Sequence, residues 1–233
     1  MASTLFRRSE LTYPTRVISL KASVICLITF HFFGALGLLI PMTRPYFEMA
    51  TPLNLLITNV LLFNFHREWN KPFLLFCLVS FLTGFLVEVA GVQTGLIFGS
   101  YAYGSALGYK LWDVPLMIGL NWLMLVYATG RVSSLIFGNR VIAALGGAVL
   151  MVLLDFIIEP VAIIYDFWSW ESETIPLQNY AGWLVTAFFL HLFYQYLSFD
   201  KRNKLAKYVL FVQAAFFIFL QLFNKLNFFN IFV

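Results

Sequence analysis

The apolar run RVIAALGGAVLMVLLDFIIEP, residues 140–160, decides the fold. Its length matches the about 20 residues a helix needs to cross the hydrocarbon core of a bilayer, so a membrane helix is expected here. Near its end stand two carboxylates, Asp155 and Glu159, in a setting otherwise as oily as a lipid tail. Residues i and i+4 share one face of a helix, and Pro160 biases Glu159 toward the helix end. An ionised carboxylate at the bilayer centre costs about 2.5–3.5 kcal/mol on insertion scales, and such residues face a bundle interior with a partner. Two acids on one face of one span therefore call for a structural or a chemical explanation.

Working outward from that run, 61% of the 233 residues are hydrophobic and only 11% are charged, which excludes a soluble domain and predicts a membrane protein. Seven spans are expected, at roughly 17–40, 50–65, 72–90, 113–130, 140–160, 179–198 and 205–226. The predicted architecture is all-α: a polytopic transmembrane bundle forming a single integral membrane domain over residues 1–233. With a cytoplasmic N-terminus, the inner side receives Arg7, Arg8, Arg16 and Lys21, then Arg67 and Lys71, then Arg131 and Arg140, then Lys201, Arg202, Lys204 and Lys207. Only Arg44, Lys110 and Lys225 fall outside, which is the bias of the positive-inside rule. A multi-pass protein of the cell's inner membrane, with lipid as its surroundings, is the expectation. The first run is longer than a signal-peptide core and lacks a small-residue cleavage pattern after it, so it is expected to be retained. The basic residues are scattered over four inner segments and form no stripe, so nucleic acid is not an expected partner. Cys26 and Cys77 lie within apolar runs, giving neither a disulfide framework nor metal spacing.

Spans three and five run outward, so Glu88, Asp155 and Glu159 should share one level in the outer half of the bundle. The structural reading has them satisfied by Asn, Tyr or Trp donors; the functional reading makes them proton-transfer groups. Phe85-Leu86-Val87-Glu88 echoes Phe156-Ile157-Ile158-Glu159, and Pro115-Leu116 precedes Trp122 by the interval at which Pro176-Leu177 precedes Trp183, with Asn121 and Asn179 nearby. Spans three and four would then repeat as spans five and six, as parallel repeats do, with Glu88 facing Glu159. The segment GVQTGLIFGSYAYGSALGYKLW (91–112) is too long for a structureless loop and is expected to pack back on the outer surface. There Gly91, Gly95 and Gly99 have the spacing of close helix contacts, and Tyr101, Tyr103, Tyr109 and Trp112 suit the headgroup layer. In DFWSWESETIPLQNYAGW (166–183), Asp166, Glu171 and Glu173 are expected to form a solvated face.

Other chemistries find little support. No Lys-Ser/Thr follows the glycines, as a P-loop requires. His31, His66 and His191 belong to different segments and show no paired ligand spacing; His31 and His191 read as satisfied core residues. A retinal Schiff base would need a lysine in mid-membrane, whereas Lys207 and Lys225 sit at the ends of the last span. Transport stays open, because intramembrane acids also build proton relays.

Three segments carry a family resemblance: EVAGVQTGLIFGSYAYGSALGYKLWDVPLMIGLNW (88–122), DFIIEPVAIIYDFWSW (155–170) and NYAGW (179–183). Together they resemble the carotenoid biosynthesis membrane proteins that include carotenoid 1,2-hydratases and bisanhydrobacterioruberin hydratases. The likeness covers roughly residues 80–185, which makes that stretch the expected catalytic core. It implies a lyase that adds water across the terminal C1–C2 double bond of an acyclic carotenoid end to give a tertiary alcohol, acting on an acyclic or monocyclic carotenoid. Heterodimeric-type lycopene cyclases, which protonate the same ends without adding water, are a more distant likeness. The different class is a carotenoid-binding or proton-coupled transport protein.

The residues fit such chemistry independently. Hydrating a trisubstituted alkene needs a proton for the less substituted carbon, shelter for a tertiary cation, and a delivered water. A carboxyl removed from water favours its neutral, proton-carrying form, so the deeper Asp155 is the expected acid. Glu159 or Glu88 would orient or deprotonate the water. The faces of Trp122, Trp168, Trp170 and Trp183 are candidates to steady the cation, and Tyr101, Tyr103, Asn121 and Asn179 complete the expected substrate contacts. No cofactor is required, and no dinucleotide fingerprint is present.

Overall fold

A computed structural model describes residues 18–172 and 174–226. Of the expected inner cations, Arg7, Arg8 and Arg16 lie outside the described residues, as does Glu173 of the acidic loop. The described residues fold into eight helices: α1 (Leu20–Leu39), α2 (Arg44–Met49), α3 (Thr51–Asn64), α4 (Lys71–Thr94), α5 (Leu116–Ile136), α6 (Arg140–Ile164), α7 (Leu177–Tyr196) and α8 (Ala206–Lys225). Apart from the single-turn-and-a-half α2, each coincides with one of the seven expected apolar segments. Four of them, α1, α4, α6 and α8, are long and apolar enough to cross a membrane. The helix α3 has only 14 residues, while α5 and α7 are diluted by inward-facing polar groups such as Thr129, Asn179, His191 and Gln195.

The helix starts follow from local chemistry. An unpaired backbone N–H in the first turn needs an acceptor, and Asn70 and Asn139 supply one: Asn70 accepts from Phe73 N at 3.0 Å and Asn139 from Val141 N at 2.9 Å. Prolines near the starts of α2, α3 and α4 lack the N–H that would otherwise be orphaned. Pro115 and Pro176 stand as the N-caps of α5 and α7, the two positions that the repeated Pro-Leu pairs mark in the sequence.

The helix α5 is the axis of the molecule, buried on every side from Trp122 to Gly130. It packs against α4, α6, α7, α8 and α3, while α6 and α7 form the closest helix pair and α8 fills the space between α1, α5 and α6. Close approach of α4 to α5 depends on Gly84, where any side chain would collide with Trp122. That contact helps fix the indole in the core.

Four short strands organise the outer segments. β1 (Tyr101–Tyr103) pairs antiparallel with β4 (Trp168–Trp170), setting Tyr101 against Trp170 and Tyr103 against Trp168. β2 (Lys110–Leu111) and β3 (Val114–Pro115) form a hairpin whose two turn residues, Trp112 and Asp113, both take positive φ, 52° and 64°, the pattern of a type I′ turn. The segment after α4 is thus structured by strand pairing and is not a free loop, as its length predicts.

Two local expectations are corrected and a third is extended. The glycines at 91, 95 and 99 do not form a helix stripe: α4 ends at Thr94, Gly95 caps it at φ 66°, and Gly99 lies in the connection at φ 103°. A left-handed backbone is far cheaper for glycine than for other residues, so Gly95 stops the helix. Pro160 does not end α6 either; it stands inside a helix that continues to Ile164, because packing on both sides outweighs the lost hydrogen bond. Asp166 is more than a solvated acid, for its Oδ2 accepts from Ser105 N at 2.8 Å and Ser105 Oγ at 2.9 Å, tying the two outer segments together.

Candidate active site

The helices α4 and α6 bring Glu88, Asp155 and Glu159 to one level, and each side chain is at most 2% exposed. A cavity of about 250 Å³ lies among them. Every residue named from the sequence lines it: the three acids, Tyr101, Tyr103, Asn121, Trp122, Trp168, Trp170, Asn179 and Trp183. Among the described residues no lysine or arginine joins that lining, so the acids are served by neutral donors.

Glu88 is fully supplied. Its Oε2 accepts from the Tyr101 hydroxyl at 2.5 Å and the Tyr103 hydroxyl at 2.8 Å, and its Oε1 accepts from Trp122 Nε1 at 3.0 Å. Burial, with Glu88 beside them, pushes both phenols well above the usual tyrosine range, so each keeps its O–H and can donate it. An indole N–H can only donate. Glu88 is thereby held as an acceptor on both oxygens.

Glu159 repeats that arrangement with different donors. Trp168 Nε1 and Trp170 Nε1 donate to its Oε2 at 3.0 and 2.9 Å, and Asn179 Nδ2 donates to its Oε1 at 3.1 Å. The strand period explains the pairing: Tyr101 and Tyr103, like Trp168 and Trp170, are two residues apart and face the same side, so the β1–β4 ribbon lays two phenols and two indoles over the acids. Asp155 is different. Among the described residues it receives one donor, Asn179 Nδ2 at 2.9 Å on Oδ2, and none on Oδ1.

Magnitudes separate the three groups. Hydrogen bonds to a charged acceptor contribute roughly 1.5–3 kcal/mol each, so three of them match or exceed the about 2.5–3.5 kcal/mol cost of a carboxylate in the apolar region. Glu88 and Glu159 meet that condition, whereas the single donor at Asp155 does not.

Beside the acids the Trp122 and Trp183 rings stack with centroids 4.4 Å apart at 27°, offering an aromatic wall. The sequence did not point to the rest of the cavity, which runs on to His31 and Gly34 of α1, Asn54 and Thr58 of α3, and Gln213 and Phe216 of α8. His31 is buried as expected, with Nδ1 on Leu27 O at 2.8 Å, yet it also faces this space. Polar residues inside apolar runs, Asn54, Thr58 and Gln213, were the available signal. By contrast, Tyr109 and Trp112 are exposed at the surface, and His191 is enclosed in the core with Thr129 Oγ1 and Ala187 O as partners.

Comparison with known proteins gives a consistent picture. Over 108 residues the chain is 33% identical to the protein named bisanhydrobacterioruberin hydratase from Haloarcula japonica, a match covering 43% of this chain and 37% of that protein. The chain therefore spans little more than a third of the length of this curated relative. No solved structure matches. Residues 49–232, most of the chain and all of the acid cluster, match the family described as carotenoid biosynthesis protein, and to that family the chain belongs.

Proposed function

We propose that the protein is a cofactor-free carotenoid hydratase that adds water across the terminal C1–C2 double bond of an acyclic end group, giving a tertiary alcohol. Family membership and similarity to a protein named as a hydratase support this reading. The observation that carries it is the open oxygen of Asp155, set between two carboxyls whose oxygens are already committed to donors.

Asp155 holds the proton and gives it to C2, the less substituted carbon; the alkene π electrons form the new C–H bond and leave a tertiary cation at C1. The Trp122–Trp183 wall contributes about 0.5–2 kcal/mol per ring if the cation sits over it, and the fixed negative charges of Glu88 and Glu159 add to that. A water oriented by Glu159 attacks C1 through an oxygen lone pair and releases its proton to Glu159. That proton returns to Asp155, one helix turn away on the same face, restoring the resting site. Atoms balance as alkene plus water giving alcohol.

In this reading all seven long apolar segments cross the cell's inner membrane, the N-terminus is cytoplasmic, and the acids open toward the outer leaflet. Residues 80–185 form the catalytic core of a single membrane domain. The pairs α4–α5 and α6–α7 are parallel repeats; the matching proline caps and the equivalent placing of Glu88 and Glu159 support that relation.

The test is expression in a host that accumulates an acyclic carotenoid, followed by mass analysis of extracted pigment. The native chain should add the mass of water, and Asp155→Asn should abolish the product while still inserting. Pigment of unchanged mass but altered ring content would make the protein a cyclase. Unchanged pigment with altered location would make it a binding or transport protein.

A further inference from the structure

The cavity wall reaches the protein surface at α1 and the start of α3, a mouth formed by apolar residues. Of all the residues in its wall, only Phe30, Ala50 and Leu53 are exposed, Phe30 at 43% and Leu53 at 56%. They lie midway along α1 and at the start of α3, and all three are apolar. The helix α3, at 14 residues, rises only about 21 Å, short of the roughly 30 Å hydrocarbon core.

The space behind this mouth is a corridor with a known end. Gly34 of α1, Asn54 of α3 and Phe216 of α8 form its walls, and it is continuous with the cavity at Trp122 and the acids. A cavity of about 250 Å³ falls below the roughly 300–1,000 Å³ that encloses a drug-sized ligand. It holds the reacting end of a long polyene and not the whole molecule, so the remaining chain needs an apolar exit.

We infer that the α1–α3–α8 corridor is the subsite for the polyene chain, admitting it laterally from the bilayer with Gly34 setting the bore. This rests on the hydratase reading for the identity of the ligand. The geometry at Gly34 makes the inference testable. A Cβ added there would meet Phe216 Cε2 at 3.8 Å and Asn54 Nδ2 at 3.9 Å, ordinary contact distances, so alanine fits in an open channel whereas a phenyl ring would fill it.

The experiment uses the purified full chain with Gly34→Ala, Gly34→Phe and Leu53→Arg. Two probes are compared by quenching of tryptophan fluorescence, directly for an acyclic carotenoid and by competition for a short acyclic isoprenoid with the same trisubstituted alkene end. Gly34→Ala, whose Cβ makes only ordinary contacts, should fall between the native chain and Gly34→Phe. Gly34→Phe should weaken carotenoid binding about tenfold or more, equivalent to about 1.4 kcal/mol, and leave the short probe unaffected. Leu53→Arg places a charge at an already exposed position on the mouth and should act the same way; it decides the matter if Gly34→Phe fails to fold. Carotenoid binding unchanged in the variants, or equal loss of both probes, overturns the corridor. Selective loss of carotenoid binding in a protein whose native form makes no hydrated pigment sustains the corridor and overturns the hydratase reading.

Discussion

Glu88 and the Asp155–Glu159 pair occupy one cavity, yet they are built to different standards of completion. Around Glu88 both oxygens are met by donors fixed in the core or in the ribbon, two phenols and an indole. Around the pair the supply is uneven: two indoles and the Asn179 amide nitrogen serve Glu159, while Asp155 has only that same amide nitrogen. A fully supplied carboxyl is a fixed charge and a scaffold. An under-supplied one has room to keep a proton and to give it away. In the proposed mechanism, donor count and not depth separates the roles of the three buried acids.

Amide substitutions break this comparison in a ranked order. Asp155→Asn should remove all measurable hydration, and the infrared carbonyl band of a protonated carboxyl should disappear with it while persisting in Glu88→Gln. Glu159→Gln should lower turnover by about 10²–10⁴, the usual contribution of general acid–base catalysis, the amide oxygen still accepting from Trp168 and Trp170 while its NH₂ turns toward Asn179 Nδ2. Glu88→Gln turns an amide NH₂ toward Trp122 Nε1, donor against donor. It should therefore cost about 1–3 kcal/mol of stability, read as a lower melting temperature, with a smaller loss of turnover than Glu159→Gln. Trp168→Phe removes one donor of three, leaves Trp170 on the same oxygen, and should cost about 1.5 kcal/mol, the low end for a bond to a charged acceptor, with product still formed.

The last effect is invisible at neutral pH. Tyr101 and Tyr103 are held as phenols beyond the usual range near 10. The stability they contribute is complete below that value and is lost only as pH rises through their elevated range. A phenolate absorbance titration of the native chain against Tyr103→Phe should show one fewer late-titrating tyrosine; loss of an ordinary one would contradict the Glu88 environment.

Much of this was legible in the sequence because membrane folding leaves strong marks. Apolar length located the seven main helices, and the rarity of charge in oil singled out Glu88, Asp155 and Glu159 before any geometry. The Pro-Leu-to-Trp interval marked the starts of α5 and α7. What stayed hidden depends on who faces whom. Nothing in a one-dimensional pattern says that Tyr101 and Trp170 are strand partners across 69 positions, since neither three-residue strand has enough length to signal itself. Gly95 as a helix stop and Pro160 inside a helix were misread because a local rule was applied where neighbouring helices decide. The corridor through α1, α3 and α8 escaped notice because its walls are mostly the ordinary apolar residues of any membrane helix.

The two-residue spacing of the aromatic donors on the β1–β4 ribbon has a consequence for how these outer segments can change. Deleting or inserting a single residue within either strand would swing its inward side chains to the far face, exchanging Ala102 for the phenols or Ser169 for the indoles. Lengthening the connections outside the strands leaves that parity untouched. Diversification of the outer surface is therefore free in the turns and forbidden by odd steps in the ribbon.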